Sequence, residues 1–184
     1  MKNIKIIGIA LSISIVFEII FYFTLPQLDL QTSLYSFLFH SAILIASIFT
    51  AINFKNSSFS RIGNFKKGLV ISIFYSIFIS LYYFSYHNWL NPDLLENKKL
   101  LLIELSEKSE TLLDAEKKIS INPDYYNGKS AEDLVEMQQD NINNLLKPGK
   151  VFPMSLFSFL FIGMLFTIII SLLKYLFRKK LNDF

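Results

Sequence analysis

Long apolar stretches alternate with shorter polar ones along the chain, and the apolar stretches determine its architecture. Each has close to the roughly 20 helical residues that are needed to cross a bilayer core. A chain inside lipid must also satisfy its backbone hydrogen bonds internally. We therefore predict an all-α membrane protein with four transmembrane helices, at about residues 6–25, 33–54, 68–90 and 154–173.

The first apolar stretch has an alternative interpretation as a cleaved signal peptide, because Lys2 and Lys5 precede it. The stretch is longer than a signal peptide requires, and Glu18 interrupts it. The residues that follow, Tyr-Phe-Thr-Leu-Pro, do not form a small-residue cleavage site. We therefore predict that this segment is retained as the first span.

Positive side chains in the short connections predict the orientation of the spans. They cluster before the first span, between the second and third, and after the fourth, whereas the connection after the first span carries only Asp29. Lys and Arg near span ends favour the cytoplasmic side. We therefore predict a multi-pass protein of the bacterial inner membrane with both termini in the cytoplasm. The basic residues are Lys2, Lys5, Lys55, Arg61, Lys66, Lys67, Lys174, Arg178, Lys179 and Lys180.

Aromatic side chains crowd the outer end of the third span, at Tyr82, Tyr83, Tyr86, His87 and Trp89. Amphipathic rings favour the headgroup region of a bilayer. We interpret them as interface anchors, with a ligand-binding aromatic cluster as the alternative.

Residues 91–150 form a polar segment between the third and fourth spans, with 12 acidic and 8 basic residues. Asn-Pro-Asp at 91–93 predicts a helix start with Asn91 as the cap, and the helix is expected to reach about Ser120. Lys108 occupies a position where its apolar stripe requires an apolar residue. The stripe consists of Leu101, Leu105, Leu112, Ala115 and Ile119.

A second helix in this segment is predicted to begin at Ser130, where Asp133 completes a reciprocal cap. Asn-Gly at 127–128 predicts the turn between the two helices. Their apolar sides should pack together as an extracytoplasmic helical hairpin, between transmembrane helices 1–3 in residues 1–90 and transmembrane helix 4 with its basic tail in residues 151–184. The apolar side of the second helix comprises Leu134, Met137, Ile142, Leu145 and Leu146.

Acidic residues recur along both hairpin helices and could suggest a metal site. We interpret them instead as solvated helix faces carrying i,i+4 ion pairs. The two runs are Glu104, Glu107, Glu110 and Asp114, and Glu132, Asp133, Glu136 and Asp140.

Composition agrees with a membrane protein and narrows its chemistry. Charged residues make up 18% of the chain, against about a quarter in soluble domains. The net charge of +3 lies mostly beside the spans, so it does not indicate nucleic acid. The chain has no Cys, which excludes disulfides and thiol ligands. Phosphate-binding loops, HExxH and G-x-S-x-G are also absent from the sequence, so we predict a non-enzymatic protein without metal or cofactor.

Two ionisable residues lie within the predicted spans, and such residues are functional candidates by default. Glu18 and His40 each lie seven residues from the outer end of their span. Antiparallel neighbouring spans would place them at similar depth, where a hydrogen bond or ion pair would reduce the burial penalty of both. They could form a structural pair, a proton relay or substrate-coupling pair, or a group facing a wet crevice or a partner protein.

Small residues recur every four positions in three spans. Gly68, Ser72, Ser76 and Ser80 share one face of the third span. Such faces allow close helix packing, so we interpret them as the seams of a four-helix bundle, with a permeation path as the alternative. The other two sets are Gly163, Thr167 and Ser171, and Ala42, Ala46 and Thr50.

Short motifs around the third and fourth spans resemble a known family. Gly-Asn-Phe-Lys-Lys-Gly at 63–68 enters the third span, and Tyr-Tyr-Phe at 82–84 and Trp-Leu-Asn-Pro-Asp at 89–93 leave it. Pro-Gly at 148–149 then leads to the apolar run 157–170. These motifs resemble the uncharacterised bacterial membrane family called domain of unknown function 4199. The resemblance implies four spans and implies no activity.

Three functions follow from these features. The first is non-enzymatic assembly or interaction through the outer hairpin, with a second copy of the chain or another membrane protein as partner. The second is a small transport or proton-coupled component that uses Glu18 and His40. The third is an outer-side sensor that signals through the basic inner loop.

Reporter fusions test the predicted orientation. A fusion at Asn127 should report the outer side of the membrane and a fusion at Phe184 the inner side, because three basic segments favour the cytoplasm. The reverse pattern would overturn the assignment.

Overall fold

A computed structural model describes residues 2–24, 30–52 and 61–182 of the chain. Asp29 and Lys55, two residues used above to assign orientation, lie outside these ranges. Within them the chain is helical, without a strand. The α-helices are α1 (Lys2–Thr24), α2 (Leu30–Ile52), α3 (Arg61–Ser85), α4 (Asp93–Ser106), α5 (Ser109–Ile121), α6 (Ala131–Leu145) and α7 (Pro148–Asn182), and a π-helical turn (Tyr86–Leu90) follows α3.

Four of these helices, α1, α2, α3 and α7, are long and apolar enough to cross a membrane. This confirms the predicted all-α fold with four spans. The last helix is longer than the predicted span, because it begins at Pro148 and has 35 residues. Proline is favoured at the first helical position, where its fixed φ suits the helix. At about 1.5 Å per residue the helix extends well beyond the ~30 Å of a bilayer core.

One compact unit consists of residues Met1–Tyr83 and Phe152–Phe184. Its core is formed by large apolar side chains that lie one turn apart on the inward faces, among them Leu44, Ile48, Ile71, Ile79 and Phe159. The outward faces carry exposed Ile, Leu and Phe side chains. An apolar exterior around a packed interior suits a bundle surrounded by lipid.

Two glycines set the spacing between α3 and α7. A methyl group placed on Gly68 would lie 2.6 Å from Thr167 Cγ2, and one placed on Gly163 would lie 2.6 Å from Ser72 Cβ. The hydroxyls of Ser72 and Thr167 lie 3.3 Å apart within the same seam. Each glycine therefore receives a side chain from the opposite helix, which gives α3 and α7 an antiparallel register with close backbones.

The other two small residues on this face of α3, Ser76 and Ser80, are also fully buried. Their hydroxyls have no hydrogen-bond partner within the described residues. Ser72, by contrast, donates a hydrogen bond to the carbonyl of Gly68.

The predicted small-residue seam on the second span is wrong. Ala42, Ala46 and Thr50 are exposed in the bundle. The buried face of α2 instead carries His40 and Leu44, which lie on the other side of the helix because two residues correspond to about 200° of rotation. In lipid, a helix faces its polar side chains inward where hydrogen-bond partners lie. His40 has such partners in Glu18 and Tyr75, so this side of α2 faces the interior.

The second compact unit consists of residues Phe84–Val151. Its first predicted helix is interrupted: α4 ends at Ser106 and α5 begins at Ser109. Lys108 has an extended backbone, with φ −66° and ψ 144°, and its carbonyl accepts a hydrogen bond from the amide of Thr111. The single helix predicted to reach Ser120 is therefore wrong, and it breaks at the residue that interrupts its apolar stripe.

The hairpin forms because α6 packs against both α4 and α5. Gly128 in the connecting turn adopts the left-handed backbone, with φ +76°. The predicted reciprocal cap is present, since Ser130 accepts a hydrogen bond from the amide of Asp133, and the Asp133 carboxylate accepts one from the amide of Ser130. The latter bond holds the pKa of Asp133 below its usual value.

Two details of the hairpin differ from the prediction. Met137 and Leu145 are exposed, whereas Val135 is buried, so the apolar face of α6 is rotated from the predicted one. Asn91 does not cap a helix with its side chain. Its backbone N–H instead donates a hydrogen bond to the backbone carbonyl of Tyr86, at 2.8 Å, and closes the π-helical turn. Pro92 precedes α4 without a side-chain cap.

The substitution Gly163→Ala tests the α3–α7 seam. The added methyl group would collide with Ser72, close to the backbone of α3, so unfolding free energy in mixed micelles should fall by about 1–3 kcal/mol. Gly8→Ala is the matched control, because nothing lies within 4 Å of that position. It should be neutral or slightly stabilising. Equal stability of the two variants would show that the seam is not tightly packed.

Candidate functional site: a buried polar network

Glu18 of α1 and His40 of α2 are in direct contact inside the bundle. Glu18 Oε1 lies 2.7 Å from His40 Nε2. The histidine is fully buried and the glutamate nearly so. Within hydrocarbon, each group replaces part of the hydration that the other has lost. The structure thus brings together the two intramembrane residues that were singled out from the sequence.

Ser36 of α2 adds a second donor to the same carboxylate. Its hydroxyl hydrogen-bonds Glu18 Oε1, and it lies one turn before His40 on the same face of α2. The same hydroxyl lies 2.7 Å from the hydroxyl of Tyr83 on α3. Since a hydroxyl can both donate and accept, Ser36 can donate to Glu18 while it accepts from Tyr83.

Tyr75 of α3 occupies the other side of the histidine. Its hydroxyl lies 3.3 Å from His40 Nδ1 and also 3.3 Å from the His40 backbone carbonyl. The same hydroxyl lies 2.8 Å from Ser14 Oγ on α1. Ser14 and Glu18 are one turn apart on α1, so α1 contributes two groups to the site from a single face.

These contacts form one continuous chain across three helices: Ser14, Tyr75, His40, Glu18, Ser36 and Tyr83. Below, these six residues are called the polar network. The hydroxyl and imidazole groups of this chain can each donate or accept a hydrogen bond. The Glu18 carboxylate accepts from both of its neighbours, His40 and Ser36. The tautomer that matches the chain has Nε2–H donating to Glu18, with Nδ1 accepting from Tyr75.

Aromatic rings surround the histidine. Its ring centroid lies 5.6 to 6.4 Å from those of Phe17, Phe39, Tyr83 and Phe159, in edge-to-face arrangements. Phe159 is the contribution of α7, and its ring also stacks on that of Tyr83. Rings in this arrangement cover the imidazole with apolar surface.

The network can therefore hold a proton in more than one place. A proton on His40 gives an ion pair with Glu18, and a proton on Glu18 gives a neutral hydrogen-bonded pair. In both arrangements the neighbouring hydroxyls of Tyr75 and Ser36 can turn to match the new pattern of donors and acceptors.

A second polar cluster lies at the other end of the bundle. Lys174 of α7 is buried, and its ammonium donates to the carbonyl of Ile52 at 2.8 Å and to Asn64 Oδ1 at 3.3 Å. Ile52 is the last residue of α2, where the helix dipole favours a positive charge. Lys174 thus joins α7 to α2 and α3 by hydrogen bonds. It is also one of the basic residues that predict the orientation of the spans.

Four members of the network were not predicted from the sequence. Ser14 and Ser36 lie one turn before Glu18 and His40, and this spacing is the signal that could have found them. Tyr75 lies in the middle of a span, where an interface anchor is not expected. Tyr83 was predicted to anchor the interface, and the structure places its hydroxyl on Ser36. The face formed by Gly68, Ser72, Ser76 and Ser80 supplies packing between α3 and α7.

Comparison with known proteins identifies one family. The family model Protein of unknown function (DUF4199) matches residues 5–174, which cover all four spans and the segment between the third and the fourth. No curated protein and no solved structure matches the chain. Because the match extends over nearly the whole sequence, the resemblance noted from its motifs is confirmed, and the protein belongs to the DUF4199 family of proteins of unknown function.

Proposed function

We propose that this protein is a proton-coupled membrane component in which the Glu18–His40 pair takes up and releases a proton. The observation that carries the proposal is the 2.7 Å contact of the two side chains within a continuous chain of hydroxyl groups. A carboxylate and an imidazole in contact can hold one proton in two positions. A proton that arrives or leaves must do so through groups that both donate and accept.

The tyrosines distinguish this proposal from a purely structural pair. A structural pair needs only the bond between Glu18 and His40, since that bond already lowers the burial cost of both. A relay needs further polar groups along a path. Tyr75 and Tyr83 of α3 supply such groups on both sides of the pair.

The proposal includes the predicted location of the protein. We place it in the bacterial inner membrane with both termini in the cytoplasm, as the basic segments favour. The Tyr83 end of the network is then nearer to the outer side.

Infrared difference spectroscopy of the full chain in lipid tests the proposal. As the pH is lowered, a protonated-carboxyl band that shifts in deuterated water should appear, and Glu18→Gln should remove it. Ser36→Ala should move the band, because the carboxyl group loses a donor. Glu132→Gln, at an exposed position of α6, is the matched control and should leave the band unchanged.

The same experiment can refute the proposal. If folded wild-type protein and folded Glu18→Gln show the same carboxyl bands at every pH, Glu18 does not exchange a proton and the pair is structural. Circular dichroism and elution volume of each variant establish that the spectra come from folded protein.

Assembly through the hairpin is a second candidate, with a second copy of this chain as the partner. It is favoured by three exposed apolar side chains towards the tip of the hairpin: Leu113 at 64%, Ile121 at 64% and Tyr125 at 82% exposure. Side chains of this kind in a polar segment outside the spans are commonly found at contacts between proteins.

Chemical cross-linking of the full chain in mild detergent tests the second candidate. Wild-type protein should give a dimer band, and Leu113→Lys with Ile121→Lys should abolish it by placing charges in the contact. Glu116→Lys, at an exposed position of the same helix, should retain the dimer. A wild-type protein that stays monomeric would refute this candidate.

A further inference from the structure

The polar network occupies only one half of the bundle. Its groups lie between the middle of the helices and the end at which α1 finishes at Thr24 and α2 begins at Leu30, here called the Thr24 end. Tyr83 lies nearest to this end, two residues before the end of α3. Ser14 and Tyr75 lie deepest, since eight residues of α3 separate Tyr75 from Tyr83, or about 12 Å.

An apolar layer lies directly beyond the deepest groups. One helical turn further from the Thr24 end, Ser14 is followed by Ala10, His40 by Leu44 and Tyr75 by Ile71, and all three of these apolar residues are buried. On the α7 side, a methyl group placed on Gly163 would lie 3.4 Å from Leu44 Cδ2, so the helix closes against the same layer. We call Ala10, Leu44 and Ile71 the apolar layer.

Two of the hydroxyls around this layer are bound within their own helices. Ser47 donates to the carbonyl of Ile43, and Ser72 donates to the carbonyl of Gly68. The single hydrogen bond of Ser14 goes to Tyr75, and those of Tyr75 go to Ser14 and His40, so none of them crosses the layer. Water needs two to four polar partners to occupy a buried site, and the apolar layer offers none.

The polar cluster around Lys174 is far from the network. Asn64, which accepts a hydrogen bond from Lys174, precedes Tyr75 by eleven residues of α3, a separation of about 16 Å along the helix. This distance is several times that of a hydrogen bond. Between the two polar clusters lie the apolar layer and the Ser72–Thr167 hydroxyl pair of the α3–α7 seam, whose hydrogen bonds go to each other and to the Gly68 carbonyl and not to the network.

We infer that the Glu18–His40 site exchanges protons only with the side of the membrane at the Thr24 end, so that the protein responds to the pH of that side and does not conduct protons across. This inference rests on the proposed function and adds direction to it. The groups that face the pair are Tyr75 and Tyr83 from α3 and the Phe159 ring from α7. The buried cation of α7, Lys174, lies beyond the apolar layer.

Vesicles containing the full chain allow the two sides to be titrated separately. Because the sequence has no Cys, a single Ser109→Cys substitution in the segment that joins α3 to α7 can report orientation. Labelling with a membrane-impermeant maleimide gives the fraction of molecules whose Thr24 end faces the outside. The pH of the outer solution is then changed alone, while the carboxyl band of Glu18 is followed.

The expected result is that the titrating fraction equals the labelled fraction. Nigericin with potassium, which equalises the pH on both sides, should then make the remaining molecules titrate. If all molecules titrate without nigericin, the site is open to both sides and the inference is wrong, although the proposed function stands. If no molecule titrates even with nigericin, the proposed function itself fails.

A variant of the apolar layer gives a second test. Leu44→Ser replaces a fully buried side chain in the layer with one that can hydrogen-bond water, so molecules of both orientations should titrate without nigericin. A dye inside the vesicles should also report faster acidification. Leu38→Ser, at an exposed position of α2, is the matched control and should behave as wild type. A folded Leu44→Ser protein that titrates from one side only would contradict the assignment of this layer as the barrier.

Discussion

Burying a carboxyl group in a helical bundle surrounded by lipid is costly unless hydrogen-bond donors replace the water that it loses. Glu18 receives His40 and Ser36 as partners, and both come from one face of α2. That requirement determines which side of α2 faces inward. It then draws Tyr75 and Tyr83 of α3 to the same place, because His40 and Ser36 have further hydrogen-bonding capacity of their own.

The remaining packing keeps these groups in place. Close contact of α3 with α7 depends on Gly68 and Gly163, each opposite a side chain of the other helix. At the opposite end, Lys174 holds the last carbonyl of α2 and the side chain of Asn64. An aromatic residue of α7, Phe159, fills the space beside the histidine. The polar network and the Lys174 cluster therefore lie towards opposite ends of the bundle, with the apolar layer between them.

Length and hydropathy suffice to locate the four spans, because both are local properties of the sequence. The depth of Glu18 and His40 also follows from counting residues along antiparallel neighbours. The rotation of each helix about its axis does not follow from such counts, since it depends on which side chains find partners. For this reason Ala42 matches a packing motif and yet faces outward, and Tyr83 looks like an interface anchor and yet bonds Ser36. Lys108 marks an imperfect stripe in the sequence, but whether a helix tolerates or breaks at such a residue depends on the packing of its neighbours.

The attachment of α1 has a consequence for how the bundle can respond. Only 17% of its apolar segment is buried, against 44% for α2, so α1 has the smaller share of apolar contact with its neighbours. Its two polar side chains in the interior, Ser14 and Glu18, therefore account for a larger part of what holds it. A change of charge on Glu18 acts directly on the polar contacts of α1, whereas Lys174 and the glycine seam join α7 to α2 and α3 through other residues. The charge of Glu18 therefore bears on the seating of α1 against α2 and α3 more directly than on any other contact of the bundle.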